Sequence, residues 1–318
     1  MENKRQFIPL GKDYLVWHYT SPNVFIKLLN NEIYATHFKF LNDDMEIAYA
    51  QKICQDFCEK EIPVVNIDSF GKKMLNQDIF VMCFSTVKDS LPQWRSYTPK
   101  SEGGFAIGFS RNKLCSALNE SIIRCKRNNQ QNSISWTWIK CLYSEERLHK
   151  RLQALKRLAT RNTTVSSSIR QFQEGILKSS SLSAKQNLLE KSIMDLISDC
   201  NRDCTIFGAF SKMSLTYKHP TFATECEERI LGVGINFENI GEGHSISNIQ
   251  SWHRKDIEYI GGKPRVKIPI DSVKDCIEYV MVSPHGNKNE NKLIAELFRD
   301  KYDLKFNIEM SSSPYNGR

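Results

Sequence analysis

The sequence predicts an α+β protein, a mixed sheet core carrying a helical insertion. Three observations carry this reading. Strand-length apolar runs occur in both halves of the chain, at 78–85 and 103–110 and again at 225–233, 266–270 and 279–283. Segments with the helical spacing of apolar residues alternate with them. Between the two halves, residues 145–205 are dominated by Leu, Lys, Arg, Ser and Gln and show no strand signal. The whole of 1–318 therefore reads as a single α+β domain with a helical insertion at 145–205.

The elements follow in order. Tyr14 to Thr20 is rich in β-formers and reads as a strand. Ser21-Pro22-Asn23 opens a helix, with Ser21 as N-cap and Pro22 at the first helical position. Val24, Phe25, Leu28 and Leu29 give that helix its apolar face. Glu32–Thr36 reads as the next strand, and Leu41–Asp44 as a turn leading into a helix from Met45 to Lys60. Asp78–Ser85 is apolar throughout and is expected to be buried on both faces. Gly103–Ser110 is a strand whose glycines allow close backbone approach. Glu225–Val233, Val266–Ile270, Tyr279–Ser283 and Leu304–Met310 complete the strands, and Asn289–Lys301 is an amphipathic helix.

Composition narrows the class. With 40% hydrophobic and 25% charged residues, a disordered or fibrous chain is excluded. No run approaches the ~18 apolar residues of a membrane span, and no signal-peptide pattern opens the chain, so a cytoplasmic location is expected. The ten cysteines read as buried free thiols. Cys54/Cys58 and Cys200/Cys204 each share a helix face, but their spacing is not that of a zinc knuckle, and no metal is expected. Charge is uneven: residues 111–190 hold 15 Lys/Arg against 5 Asp/Glu, while the whole chain carries +8. A local basic excess suits a polyanionic partner, either nucleic acid or an acidic protein. It also suits a solvated helical face. Oligomeric state is not indicated.

Several segments together resemble one bacterial family, catalogued as domain of unknown function 2971. They are His18-Tyr19-Thr20-Ser21, Asn42-Asp43-Asp44-Met45-Glu46, Cys83-Phe84-Ser85 and Gln93-Trp94-Arg95-Ser96-Tyr97. Gly103–Phe109, Lys218 with Glu225-Cys226-Glu227-Glu228-Arg229, and Ser311–Tyr315 follow. Asp44 stands where the family has proline, and Asn316 where it has a closing arginine.

The opening strand-helix-strand, with a histidine on an aromatic strand before Thr-Ser, is also similar to ADP-ribosyltransferases. That resemblance implies NAD as substrate, with no metal. His18 would hold a ribose, Tyr34 or Tyr97 would stack on nicotinamide, and Glu227 or Glu225 would be the catalytic carboxylate. A carboxylate against the ribose hydroxyls stabilises the developing oxocarbenium charge, which is electrostatic preorganisation worth roughly 3–4 kcal/mol. Tyr19, Thr20, Trp94, Arg95 and Arg229 would complete the cofactor surface. Asn42, Asp43, Glu46 and Lys218 would support it from behind. The acceptor, protein or nucleic acid, would meet the basic region 111–190, as suits a bacterial toxin or anti-phage effector.

Blander readings stand beside these. His18 is equally a hydrogen-bonded structural histidine. Glu225, Glu227 and Arg229 alternate and would share one strand face, where an ion pair is as natural as a site. Glu228, on the opposite face, is the poorer candidate. Asn42-Asp43 is most simply a helix-capping turn. Two other functions remain open. One is a non-catalytic module sensing a nucleotide or phage component. The other is a metal-dependent nuclease using Glu46, Glu225, Glu227 and Lys218.

Overall fold

The computed structural model describes residues 8, 10–41, 45–61, 78–127, 134–161, 213, 215–234 and 256–315. The chain falls into two compact units: Met1–Asp44, Gln77–Cys141 and Thr221–Arg318 form the first, Met45–Asn76 and Leu142–Pro220 the second. The insertion read at 145–205 thus shares its unit with Met45–Asn76, a partner that local periodicity does not reveal. The basic stretch 111–190 is divided between the units at Cys141. Among the described residues no helix is long and apolar enough to cross a membrane.

The first unit is a mixed α/β body around an open, mostly antiparallel sheet. Its described strands are β1 Leu15–Thr20, β2 Tyr34–His37, β3 Ile79–Ser85, β4 Phe105–Ser110, β5 Ile134–Lys140, β6 Glu227–Gly234, β7 Ile257–Ile260, β8 Lys263–Lys267, β9 Ile277–Val282 and β10 Asn307–Met310. They run β10-β9-β4-β1-β3-β2-β8-β7, and β6 with β5 branches from β3. Among them, only β9 and β10 pair in parallel. The unit's helices are α1 Pro22–Leu29, α3 Leu91–Tyr97, α4 Arg111–Arg127 and α6 Lys288–Lys301. The second unit holds α2 Met45–Glu61 and α5 Glu145–Arg161, with Ala50, Cys54, Phe57, Leu148 and Leu152 in one apolar cluster.

The strands expected from sequence are present with shifted ends. The strand expected at 32–36 is Tyr34–His37, and that expected at 266–270 is Lys263–Lys267. Ser21 holds the N-cap position of α1 with extended backbone, but its side chain makes no capping bond. Strand β3 is buried along nearly its whole length, as its apolar run requires. Gly104 lies so close to Thr20 that a Cβ there would stand 2.2 Å from the Thr20 carbonyl oxygen. Strands β5 and β7 and helices α3 and α4 were not read from the sequence. In β5 the period-2 pattern of Ile134, Trp136 and Trp138 is broken by Ile139.

The two sheet faces differ. One carries Val16, Phe84, Phe105, Ile107, Phe109, Ile230 and Val280, which pack with Phe25, Leu28 and Leu29 of α1, Leu114 and Leu118 of α4, and Ala295 of α6. The other carries Trp17, Tyr19, Ala106 and Met281, covered by Trp94 of α3. The C-terminal tail is docked beside them. Asp89 accepts from Trp94 Nε1 at 2.7 Å, from Ser312 N and Oγ at 2.9 Å, and from Ser311 Oγ. Burial pushes the Asp89 carboxyl up, but these donors outweigh it and hold it below its ordinary range. Tyr315 meets the His285 ring edge-on at 5.0 Å.

Candidate functional site

The sheet forks at β3. Its full length pairs with β6 on one side, Ser85 opposite Glu227 and Cys83 opposite Arg229. On its other side two strands compete. Strand β1 pairs through Trp17 and Ser85, whereas β2 pairs through Thr36 with Val81 and His37 with Phe80. Continued toward each other, both would claim the same stretch of β3. They part instead beside Cys83. His18 fills the gap: its Nδ1 lies 3.0 Å from that oxygen.

This bond fixes the chemistry of His18. A carbonyl only accepts, so Nδ1 carries the proton and donates. Burial pushes the imidazole pKa down; the Cys83 bond opposes this and the Arg265 cation adds to it. His18 is therefore neutral at pH 7, and its Nε2 is an acceptor. The ring lies 5.9 Å from Phe84, and the residue as a whole is half-buried. Around the fork stand Tyr34, Thr36, Cys83 and Arg265, all half-buried. Tyr34 precedes Thr36 by two residues and is level with Cys83; its hydroxyl donates to Glu258 at 3.2 Å.

The carboxylates of β6 go elsewhere. Residues paired across an antiparallel ladder share a face. Trp17, Ser85 and Glu227 thus lie on one face, and His18, Phe84 and Glu228 on the other. By the same register Tyr34, Thr36, Arg265 and Lys267 lie on the face of Ser85 and Glu227, and His18 lies on the other. The sheet stands between His18 and Glu227, so they do not converge as the transferase resemblance implied. Glu227 instead takes Arg229 in a two-pronged pair, Nε to Oε1 at 2.7 Å and Nη2 to Oε2 at 3.0 Å, with both residues buried. The polar face expected from Glu225, Glu227 and Arg229 is also corrected. Glu225 ends a 3-10 turn, Pro220–Glu225, and Cys226 at φ +45° breaks the strand period before Glu227. That left-handed residue is held by Thr86, whose N and Oγ1 donate to the Cys226 carbonyl at 3.0 and 3.2 Å.

Glu228, set aside as the poorer candidate, is 1% exposed and closely bonded. It accepts from Tyr14 Oη at 2.7 and 2.9 Å and from Trp138 Nε1 at 2.7 Å. Arg111 Nε stands 3.9 Å away, with its guanidinium over the Trp138 ring at 5.3 Å. Only the spacing to Tyr14 and Trp138 in three dimensions reveals this cluster, and no local pattern does.

The remaining predicted residues disperse. Tyr19 is buried; its hydroxyl donates to the Val87 carbonyl at 3.1 Å and accepts from Ser90 N at 2.8 Å, which anchors the loop after β3. Thr20 is buried against Gly104. Trp94 is fully buried, edge-on to Tyr19 at 4.8 Å, and packs in the core. Arg95 lies over Tyr315 at 5.1 Å, and Tyr97 is 39% exposed at the end of α3. Lys218 is buried in the second unit. Glu46 lies on α2, and Asn42 and Asp43 lie outside the described residues. Cys54, Cys115, Cys141 and Cys276 are buried as expected, but Cys83 and Cys226 are half-exposed; Cys200 and Cys204 lie outside the described residues. Burial pushes the Cys115 thiol up to about 11 and Cys276 up to about 12, so both stay protonated. Among the described residues no group of three or more His, Cys, Asp or Glu converges as a metal site.

A mostly antiparallel open sheet with a forked strand and helices packed on it defines the first unit as a mixed α/β protein. Residues 93–230 match the family described as protein of unknown function DUF2971. The match takes in Trp94, Gly103–Phe109, Lys218 and Glu225–Arg229, and it stops short of His18 and Tyr315. No curated protein and no solved structure matches the chain.

Proposed function

We propose that the protein is a nucleotide-binding module that takes its ligand, of the NAD class, at the fork beside His18. The observation that carries this is the His18 bond to Cys83, which uses Nδ1 as the donor and leaves Nε2 an acceptor with no hydrogen-bond partner among the described residues. A neutral imidazole acceptor suits a sugar hydroxyl donor.

A second reading is ADP-ribosyl transfer from NAD to a protein or nucleic-acid acceptor, as in a toxin or anti-phage effector. The strand-helix-strand β1-α1-β2 with His18 on its first strand favours it. So does the position of Glu227, first in a strand paired to β3. The separation of His18 and Glu227 on opposite faces ranks it second.

One experiment tests both. Wild type and Glu227→Gln are incubated with NAD in chelator; binding is followed calorimetrically and nicotinamide release by mass spectrometry. The module reading expects binding by both proteins and release by neither. Release by wild type alone supports the transferase. No binding removes both readings.

A further inference from the structure

Strand β8 reads Lys263-Pro264-Arg265-Val266-Lys267, with basic residues at alternate positions. Alternate residues of a strand share a face. Val266 belongs to the apolar core, so Lys263, Arg265 and Lys267 lie on the opposite face. By register Arg265 stands opposite Thr36 and Lys267 opposite Tyr34 of β2, which places the Tyr34 ring among these cations. Lys27 adds a fourth, its Nζ 5.9 Å from the centre of that ring. The patch is open to solvent: Lys267 is exposed, and Lys27, Tyr34, Thr36, Lys263 and Arg265 are half-buried. Glu258 of β7 stands opposite Arg265, but it takes the Tyr34 hydroxyl at 3.2 Å and forms no ion pair with Arg265 among the described residues. Arg265 Nε is buried and meets no hydrogen-bond acceptor among them. Buried donors are nearly always satisfied in folded proteins, so this one calls for an acceptor from outside the chain.

We infer that this face of β2 and β8 docks single-stranded nucleic acid, with Arg265 and Lys267 on neighbouring phosphates and Tyr34 against a base. The surface is separate from the fork reading, because His18 lies on the other face of the sheet. Cations strung along a strand suit a chain of anions; a lone phosphate would call for cations that converge. Alternate residues of a strand stand roughly 6.5–7 Å apart, an interval comparable to that between phosphates of an extended nucleic-acid strand. The Arg265 guanidinium matches a phosphate with two parallel donors, which an ammonium does not. An aromatic ring among backbone-tracking cations is the arrangement that stacks unpaired bases, and a duplex keeps its bases out of reach of a flat sheet. An acidic peptide would meet the cations but give the ring no role.

The test is fluorescence anisotropy with a labelled oligo-dT of about 12 nucleotides, within the ~4–16 of a single sheet-based site. The competitors are its duplex with oligo-dA and a poly-glutamate of matched charge. The proteins are wild type, Arg265→Ala, Arg265→Lys, Lys267→Ala, Tyr34→Ala and, as an exposed cation on another element, Lys305→Ala. Circular dichroism checks each fold. Wild type is expected to bind, and neither competitor to displace the oligonucleotide at equal concentration. Arg265→Ala weakens binding at least tenfold, Tyr34→Ala about fivefold, Lys267→Ala about threefold and Lys305→Ala less than twofold. Arg265→Lys recovers part of the affinity, which separates a lost guanidinium contact from a damaged fold. Arg265→Ala and Lys267→Ala each reduce the salt slope by about 0.7, the share of one phosphate contact on a single strand. No binding by wild type, or an Arg265→Ala that binds like wild type, overturns the proposal. So does a loss in Lys305→Ala equal to that in Arg265→Ala, which would mean a diffuse field. Displacement by poly-glutamate would make the partner an acidic protein, and displacement by the duplex would remove the role of Tyr34; either result overturns it as well.

Discussion

The Glu228 cluster and the His18 fork are both polar, both built on β3 and its neighbours, and opposite in kind. Around Glu228 both carboxylate oxygens have donors, from Tyr14 and Trp138, and Arg111 adds charge. At the fork, His18 Nδ1 is used, Nε2 has no hydrogen-bond partner, and Arg265 Nε meets no acceptor, all among the described residues. Saturated buried polar groups hold a fold together. Groups left short of partners in an accessible place point to a ligand. The difference teaches that burial and charge do not by themselves mark a site, since Arg111 Nε in the Glu228 cluster also meets no hydrogen-bond acceptor among the described residues.

The comparison breaks most visibly at Glu228. Glu228→Ala leaves Tyr14 and Trp138 donors unpaired and Arg111 without its carboxylate, and is expected to cost about 3–5 kcal/mol of stability. The measurement is the urea midpoint, with nucleotide affinity of the folded fraction unchanged. Loss of affinity at constant stability would make Glu228 part of the site.

His18→Ala should show the reverse balance. Losing one hydrogen bond to Cys83 costs about 1 kcal/mol of stability. Nucleotide affinity should fall about tenfold, equivalent to about 1.4 kcal/mol. Unchanged affinity in calorimetry would return His18 to a purely structural role.

The smallest effect is on pH dependence. Burial lowers the folded pKa of His18, and of His37 and His285 as well. The unfolded value is about 6.5. Above it both states are neutral and stability is full. As pH falls from about 6.5 through the lowered folded values, the unfolded chain takes up protons first, and stability is lost. Urea midpoints should drop between pH 7 and 5, less steeply in His18→Ala. A midpoint that rises on acidification would contradict the burial assigned to these rings.

Much of the fold was legible in the sequence. The apolar run of β3, the helix opened by Ser21-Pro22 and the glycine-led β4 carry strong local signals. Helix α4 and strand β5 carry weaker ones, since Lys and Arg dilute the first and Ile139 interrupts the second. The site was legible only in part. His18 stood out as a histidine on an aromatic strand. Its partner is the Cys83 backbone carbonyl at a fork of the sheet, which no side-chain pattern encodes. The face of Glu227 depended on where the strand began, and Cys226 moved that start by two residues from the expected one. Arg265 lies beyond the expected start of its strand at Val266 and drew no notice.

The most direct test of the fork is the protonation state of His18 with and without ligand. Long-range proton–nitrogen NMR at pH 7.5, with His18→Ala for assignment, separates Nδ1–H from Nε2–H. The account predicts Nδ1–H in the free protein and a shift of Nε2 on addition of NAD. An Nε2–H tautomer, or an Nε2 resonance unmoved by saturating NAD, would contradict it.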